Sequence, residues 1–179
     1  MKLYLAGPEV FLANASDIGA AKKALCEKYG FIGLFPLDCE IQAASPRATG
    51  LAISVANEAL IRDADAIVAN LTPFRSPSAD VGTVYELGLA RGLGKPIHGY
   101  SNTPVLYTER VKAAAGFDAT RQTDAQGMHI EAFELHDNLM IDGGIHQSGG
   151  HFYISKKDAA LDSLAAFERV LKQLAADCR

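Results

Sequence analysis

The chain has 179 residues, of which 49% are hydrophobic and 21% charged, a composition that suits one domain with a sizeable core. A formal charge of −4, with no cluster of lysine or arginine, argues against a nucleic-acid surface, and no apolar run has the length of a membrane span. The chain opens on a strand-like Lys-Leu-Tyr-Leu-Ala-Gly without a signal-peptide profile. Cys26, Cys39 and Cys178 are odd in number and lack a CxxC pattern, so reduced thiols and a cytoplasmic location are expected.

Strand and helix signals alternate along the chain. Residues 3–6 form an apolar run ended by Gly7-Pro8, and Ser16 offers a cap for a helix reaching about Tyr29, where Gly30 stops it. Residues 31–35 give a second strand before Pro36-Leu37-Asp38. A polar loop through Pro46 and Gly50 leads to a helix over about 51–63. Residues 66–71 are a third strand, a helix starting at Asp80 ends near Gly92 and Gly94, and 96–100 is a fourth strand.

Beyond Ser101 the pattern weakens. Residues 105–116 and 131–140 have helical spacing, 121–126 reads as a mobile turn, 141–150 as a glycine-rich loop and 152–154 as a fifth strand. Residues 158–176 form an amphipathic helix with Leu161, Leu164, Phe167, Val170, Leu171 and Leu174 on its apolar stripe. Continuous apolar strands between helices predict a single doubly wound, flavodoxin-like or Rossmann-like α/β domain over 1–179. Its parallel sheet has about five strands, with helices on both faces. No repeat or linker divides it.

In such sheets ligands collect outside the carboxyl ends of the strands, where strand order reverses. Gly7-Pro8-Glu9, Pro36-Leu37-Asp38 and the segment from Asn70 to Asp80 would meet there. Asp80 has the chemistry of an N-cap, with Thr83 supplying the N–H. Glu86 then lies within the helix among Val84, Tyr85, Leu87 and Leu89, with small Gly82 and Thr83 on its face. A carboxylate so placed is either a solvent-facing Glu on an amphipathic helix or a group set for chemistry.

Six segments together resemble the nucleoside 2-deoxyribosyltransferase family. They are Tyr4-Leu-Ala-Gly-Pro8, Pro36-Leu-Asp38, Ala64-Asp-Ala-Ile-Val-Ala-Asn70, Asp80-Val-Gly-Thr-Val-Tyr-Glu86-Leu-Gly88, Gly94-Lys-Pro96 and Asn138-Leu-Met140. The resemblance implies that Glu86 attacks C1′ of a 2′-deoxynucleoside and displaces the base, giving a deoxyribosyl ester that a second base opens. It implies further that Tyr4 positions Glu86 and that Asp80 contacts the deoxynucleoside. Asn138 and Met140 would reach in from a neighbouring subunit to hold the 5′-hydroxyl, in a homo-oligomer with shared sites. Read from the residues alone, Tyr4 is equally a core tyrosine, Asp80 an N-cap and Met140 a core residue. Gly7, Asp38 and Asn57 complete the expected substrate contacts. The implied partners are 2′-deoxynucleosides and free nucleobases, and no cofactor is expected.

Two departures from the family pattern stand out. Many relatives carry an aspartate where Asn57 stands, eight residues before Asp65, and an amide is no general acid at neutral pH. Glu40 stands where some carry a glutamine near the base. Asp65 itself is expected at the far end of its strand, as a structural residue.

The rival readings differ in their first loop. A 2′-deoxynucleoside 5′-phosphate N-hydrolase would want backbone N–H groups facing the phosphate there. Pro8 removes a donor, and Glu9 is expected to set negative charge at that place. A flavin module would want Thr and Ser in that loop. A nucleoside-binding protein without catalysis is the third alternative. His129, His136, His146 and His151 do not reach metal-ligand spacing, and Cys39 has no evident His partner.

Overall fold

The computed structural model describes residues 1–38 and 41–178, so Cys39 and Glu40 lie outside the described residues. Five strands, β1 (Lys2–Ala6), β2 (Ile32–Leu34), β3 (Ala66–Asn70), β4 (Ile97–Ser101) and β5 (Phe152–Ile154), form one sheet in the order β2-β1-β3-β4-β5. Every neighbouring pair is parallel, with Tyr4 opposite both Leu34 and Ile67, and Asn70 opposite Tyr100. The helices are α1 (Ala15–Lys28), α2 (Pro46–Asp63), α3 (Val81–Gly92), α4 (Tyr107–Ala115), α5 (Leu139–Gln147) and α6 (Ala165–Asp177).

Side chains alternate across each strand, and the core divides accordingly. Leu3, Leu5, Val68 and Tyr100 pack on one face with Cys26 of α1 and Phe167, Val170 and Leu171 of α6. Tyr4, Ala6, Ile67, Ala69 and Ile97 pack on the other with Ile61 of α2, Leu87 of α3, and Ile141 and Ile145 of α5. From β1 the chain goes outward to β2 and then returns past β1 to β3. The order therefore reverses between β1 and β3, and the ligand crevice of this topology falls there.

Several local expectations are corrected. Helix α2 starts at Pro46 rather than near Leu51. Ser45 caps it by accepting from Ala48 N at 3.2 Å, and proline at the first helical position loses no hydrogen bond. Helix α1 starts at Ala15, with Asn14 rather than Ser16 at the cap position. Residues 141–150, expected as loop, largely belong to α5, whereas 131–138 is irregular. Gly143 and Gly144 cost about 1 kcal/mol each relative to alanine. Burial of Ile141 and Ile145, one turn apart, offsets that cost. Helix α6 starts at Ala165 instead of 158. The segment ahead of it is held open by Asn102, whose Nδ2 donates to the carbonyls of Ala160, Leu161 and Ser163.

Residues 121–126, read as a mobile turn, form a hydrogen-bonded turn. Asp124 Oδ1 accepts from the backbone N–H groups of Gln126 and Met128, and Thr123 bridges Asp118 and His129. Among the described residues, no helix is long and apolar enough to cross a membrane.

Candidate active site

Strand β1 sets Tyr4 on the sheet face covered by α2 and α3, and α3 begins at the crevice edge after β3. The Tyr4 hydroxyl donates to Glu86 Oε1 at 2.6 Å. Tyr4 is fully buried, so the core role and the contact with Glu86 are filled by one side chain. Among the described residues the second carboxylate oxygen of Glu86, Oε2, has no hydrogen-bond partner. Burial pushes the Glu86 carboxyl up to about 7, the Tyr4 hydrogen bond pulls against that rise, and nearby Asp80 adds to it. The same surroundings raise the Tyr4 phenol, burial first and the Glu86 charge second. A desolvated carboxylate with one oxygen fixed and one free is suited to attack an electrophilic carbon or to stabilise a cation.

Asp80 caps α3. Its Oδ2 accepts from Thr83 N at 3.0 Å and lies 3.3 Å from Thr83 Oγ1. The cap uses one carboxylate oxygen, Oδ2, so capping does not preclude contact of Oδ1 with a ligand. Thr83 is buried, and its hydroxyl belongs to this cap.

Asn57 sits on α2, one turn before Ile61, which packs in the core cluster of Tyr4. Its neighbour Glu58 accepts from the Tyr85 hydroxyl at 2.7 Å, which ties this part of α2 to the turn of α3 bearing Glu86. Asn57 Oδ1 is buried and has no hydrogen-bond partner among the described residues. An orphaned buried amide oxygen is costly unless something else reaches it.

Gly7 and Asp38 are accounted for within the chain. A Cβ at Gly7 would stand 2.1 Å from Glu9 Oε2 and 2.8 Å from Asn70 Cβ, at φ 154°, so only glycine fits. Asp38 accepts from Phe35 N at 2.9 Å and pairs with Lys23, fixing the exit of β2. Asp65 accepts from Lys2 N at 2.7 Å at the opposite end of the sheet.

The expectation for Glu9 is overturned. It does not present charge to the crevice but is 1% exposed. Its Oε1 pairs with buried Lys22 at 2.5 Å and accepts from the Tyr100 hydroxyl at 2.8 Å. Lys22 also lies over the rings of Tyr100 and Phe167. The signal for this pair was a lysine on the buried face of α1, with Ile18 and Cys26 one turn either side. The charge exposed near this edge is instead Arg75. It lies over Phe11 and Phe74, whose rings stack 5.3 Å apart, and it has φ 56°.

Asn138 caps α5. Its Oδ1 accepts from Met140 N at 3.0 Å, and its Nδ2 donates to Glu131 at 2.6 Å. Met140 is not a core residue of the chain, being 73% exposed. Leu139 and Met140 line a groove of about 370 Å³ with Val84, Leu87 and Gly88 of α3. That groove contains none of Tyr4, Asp80 and Glu86. Among the described residues no group of three His, Cys, Asp or Glu side chains is set to hold a metal ion.

The sequence profile of the family described as nucleoside 2-deoxyribosyltransferase matches residues 3–140. An uncharacterized protein of Schizosaccharomyces pombe is 31% identical over 97% of this chain and 88% of its own length. Among solved structures, a 2-desoxiribosyltransferase from Leishmania mexicana superposes with a TM-score of 0.68 at 29% identity, covering 98% of this chain and 97% of that one. A conserved protein from Enterococcus faecalis shares the fold, with a TM-score of 0.58 at 19% identity over 97% of this chain and 98% of that one.

Proposed function

The chain belongs to the nucleoside 2-deoxyribosyltransferase family, and on that premise we propose that it exchanges the base of a 2′-deoxynucleoside through a covalent deoxyribosyl-Glu86 ester. The observation that carries this reading is the Tyr4–Glu86 contact at 2.6 Å, in which the hydroxyl holds Oε1 and leaves Oε2 free. Oε2 attacks C1′ as the C1′–N bond breaks and the base departs with the bonding pair. Positive charge develops on the sugar and is stabilised by a carboxylate whose own ionisation is opposed by burial. Attack of a second base at C1′ then breaks the ester and returns Glu86 as a carboxylate. Two inversions give net retention.

Asp80 Oδ1 and Gly7 face the sugar in this reading, and Asn57 Oδ1 takes an N–H of the base, which supplies its missing donor. Asn57 itself is no general acid, so in this reading the departing base takes its proton from Asp80 or from water. Incubation with deoxyinosine and adenine should give deoxyadenosine and hypoxanthine in equal amounts. Release of hypoxanthine alone would point to hydrolysis instead.

A homo-oligomer is part of this proposal. Leu139 and Met140 are exposed apolar side chains lining the groove between α3 and α5, and Val81 and Tyr85 are further exposed apolar side chains on α3. A second copy seated there would bury them and bring its own Asn138 and Met140 toward the first site.

One observation favours a second reading, 5′-phosphate N-hydrolysis. Glu9 is neutralised inside the core, and Arg75 stands exposed at the carboxyl end of β3 without a carboxylate partner among the described residues. Deoxyinosine 5′-phosphate in the same assay separates the two readings.

A further inference from the structure

Asp137 is completely buried, yet nothing in the proposed chemistry uses it. Its Oδ1 accepts from the Ser78 hydroxyl and from Asn138 N at 2.8 Å, and its Oδ2 accepts from Ala79 N at 3.0 Å. Arg110 of α4 reinforces the junction. Its Nε donates to Pro77 O at 2.6 Å, its Nη2 donates to His136 O at 2.7 Å, and Nη2 lies 3.6 Å from Asp137 Oδ2. Two segments remote in sequence, 77–79 and 136–138, are thereby joined by buried Asp137 and the largely covered Arg110. Ala79 directly precedes Asp80, the cap of the helix bearing Glu86. Asn138 directly follows Asp137 and caps α5. A buried carboxylate sharing charge-assisted bonds between two helix starts is stiffer than either loop would be alone.

We propose that Asp137 is a positioning residue for the reaction, setting the start of the Glu86 helix and the Asn138 segment as one rigid unit at the mouth of the crevice. The kinetic part of this proposal rests on the deoxyribosyl-transfer reading, whereas its mechanical part does not. Displacing Asp80 by a fraction of an ångström would alter substrate contacts directly and reach Glu86 only through the weaker influence of the Asp80 charge, so KM should respond more than the ionisation of the nucleophile.

Ser78→Ala and Asp137→Asn in the full chain test this by backbone amide hydrogen exchange and by base-exchange kinetics. Ser78→Ala deletes one bond, and Asp137→Asn replaces an acceptor with a donor that faces N–H and O–H groups. In both variants exchange at 79–83 and at 138–142 should quicken together by about tenfold, while β1 and β3 keep their protection. KM should rise and kcat/KM fall by about tenfold or more, with the acid limb of the pH profile moving far less. Quickening of one segment alone, or of neither, would overturn the proposal. So would normal kinetics in variants whose two segments have both loosened. Should Asp137→Asn fail to fold, Ser78→Ala is read by the same criteria. Should the wild type exchange no bases, that failure belongs to the transferase reading, and the paired hydrogen exchange decides the positioning claim.

Discussion

Tyr4 and Glu86, 82 positions apart in the chain, meet at 2.6 Å where β1 faces the first turns of α3. The phenol is the one donor holding the carboxylate among the described residues, and its hydrogen bond works against the rise that burial imposes on Glu86. Tyr4→Phe should therefore raise the Glu86 pKa beyond about 7. A hydrogen bond to a charged group contributes about 1.5–3 kcal/mol, equivalent to roughly one to two pH units. The acid limb of kcat/KM should move up by that amount, with activity at neutral pH reduced about fivefold to fiftyfold. A pH–rate profile of the variant checks this, and an unmoved limb would detach Tyr4 from the ionisation of Glu86.

Glu86 also carries a stability signature. Its folded-state value of about 7 lies above the ordinary 4.5. The stabilisation it gains as a buried neutral acid is fully present below about pH 4.5 and is lost as pH rises through 7. Glu86→Gln keeps the neutral form at every pH. Relative to wild type it should gain nothing near pH 4 and on the order of 1–3 kcal/mol above pH 8. Thermal unfolding at the two pH values measures the difference, and an equal Tm for both proteins at pH 8 would remove the burial penalty from the account.

Much of this was legible in residue patterns because it is local. The apolar runs of β1, β3 and β4, the Asp80 cap and the burial-prone position of Glu86 each depend on neighbours within a turn or strand. The misreadings depended on partners far along the chain. Gly143 and Gly144 argue for a loop until Ile141 and Ile145 find the sheet. Glu9 reads as a loop charge until Lys22 and Tyr100 enclose it, and Tyr100 lies 91 residues away. Asp137 carries no local signal, since Ser78 and Ala79 are 59 and 58 positions distant. The pattern of 158–164 allowed a helix that Asn102 prevents by holding three carbonyls.

Asn57 tests how the leaving base is handled. If an acid is missing there, Asn57→Asp should raise turnover or add a titrating limb. Protonation at the imidazole edge helps purines more than hydrogen bonding at a carbonyl helps pyrimidines, so deoxyadenosine rates should change more than thymidine rates. If solvent or Asp80 already supplies the proton, the new charge faces the base and turnover falls. Profiles for both substrates that coincide between the two proteins would take Asn57 out of the mechanism.

Shared sites predict complementation. Glu86→Ala and Asn138→Ala proteins should each be inactive alone and recover partial activity once subunits exchange. Asn138→Ala also removes the cap of α5, a cost of about 1 kcal/mol. Its Tm should be measured to show that it still folds. Recovery absent despite demonstrated exchange would place Asn138 in its own subunit's structure only.

The most direct measurement of the covalent account is peptide mass spectrometry after incubation with a slowly turned-over 2′-fluoro-2′-deoxynucleoside. The wild type should carry one fluorodeoxyribosyl group, located on Glu86, with release of one base per active site. Glu86→Ala should carry none and should lose at least about a thousandfold in base exchange, equivalent to ~4 kcal/mol of barrier. Sugar found on another residue, or near-normal exchange by a folded Glu86→Ala protein, would contradict it.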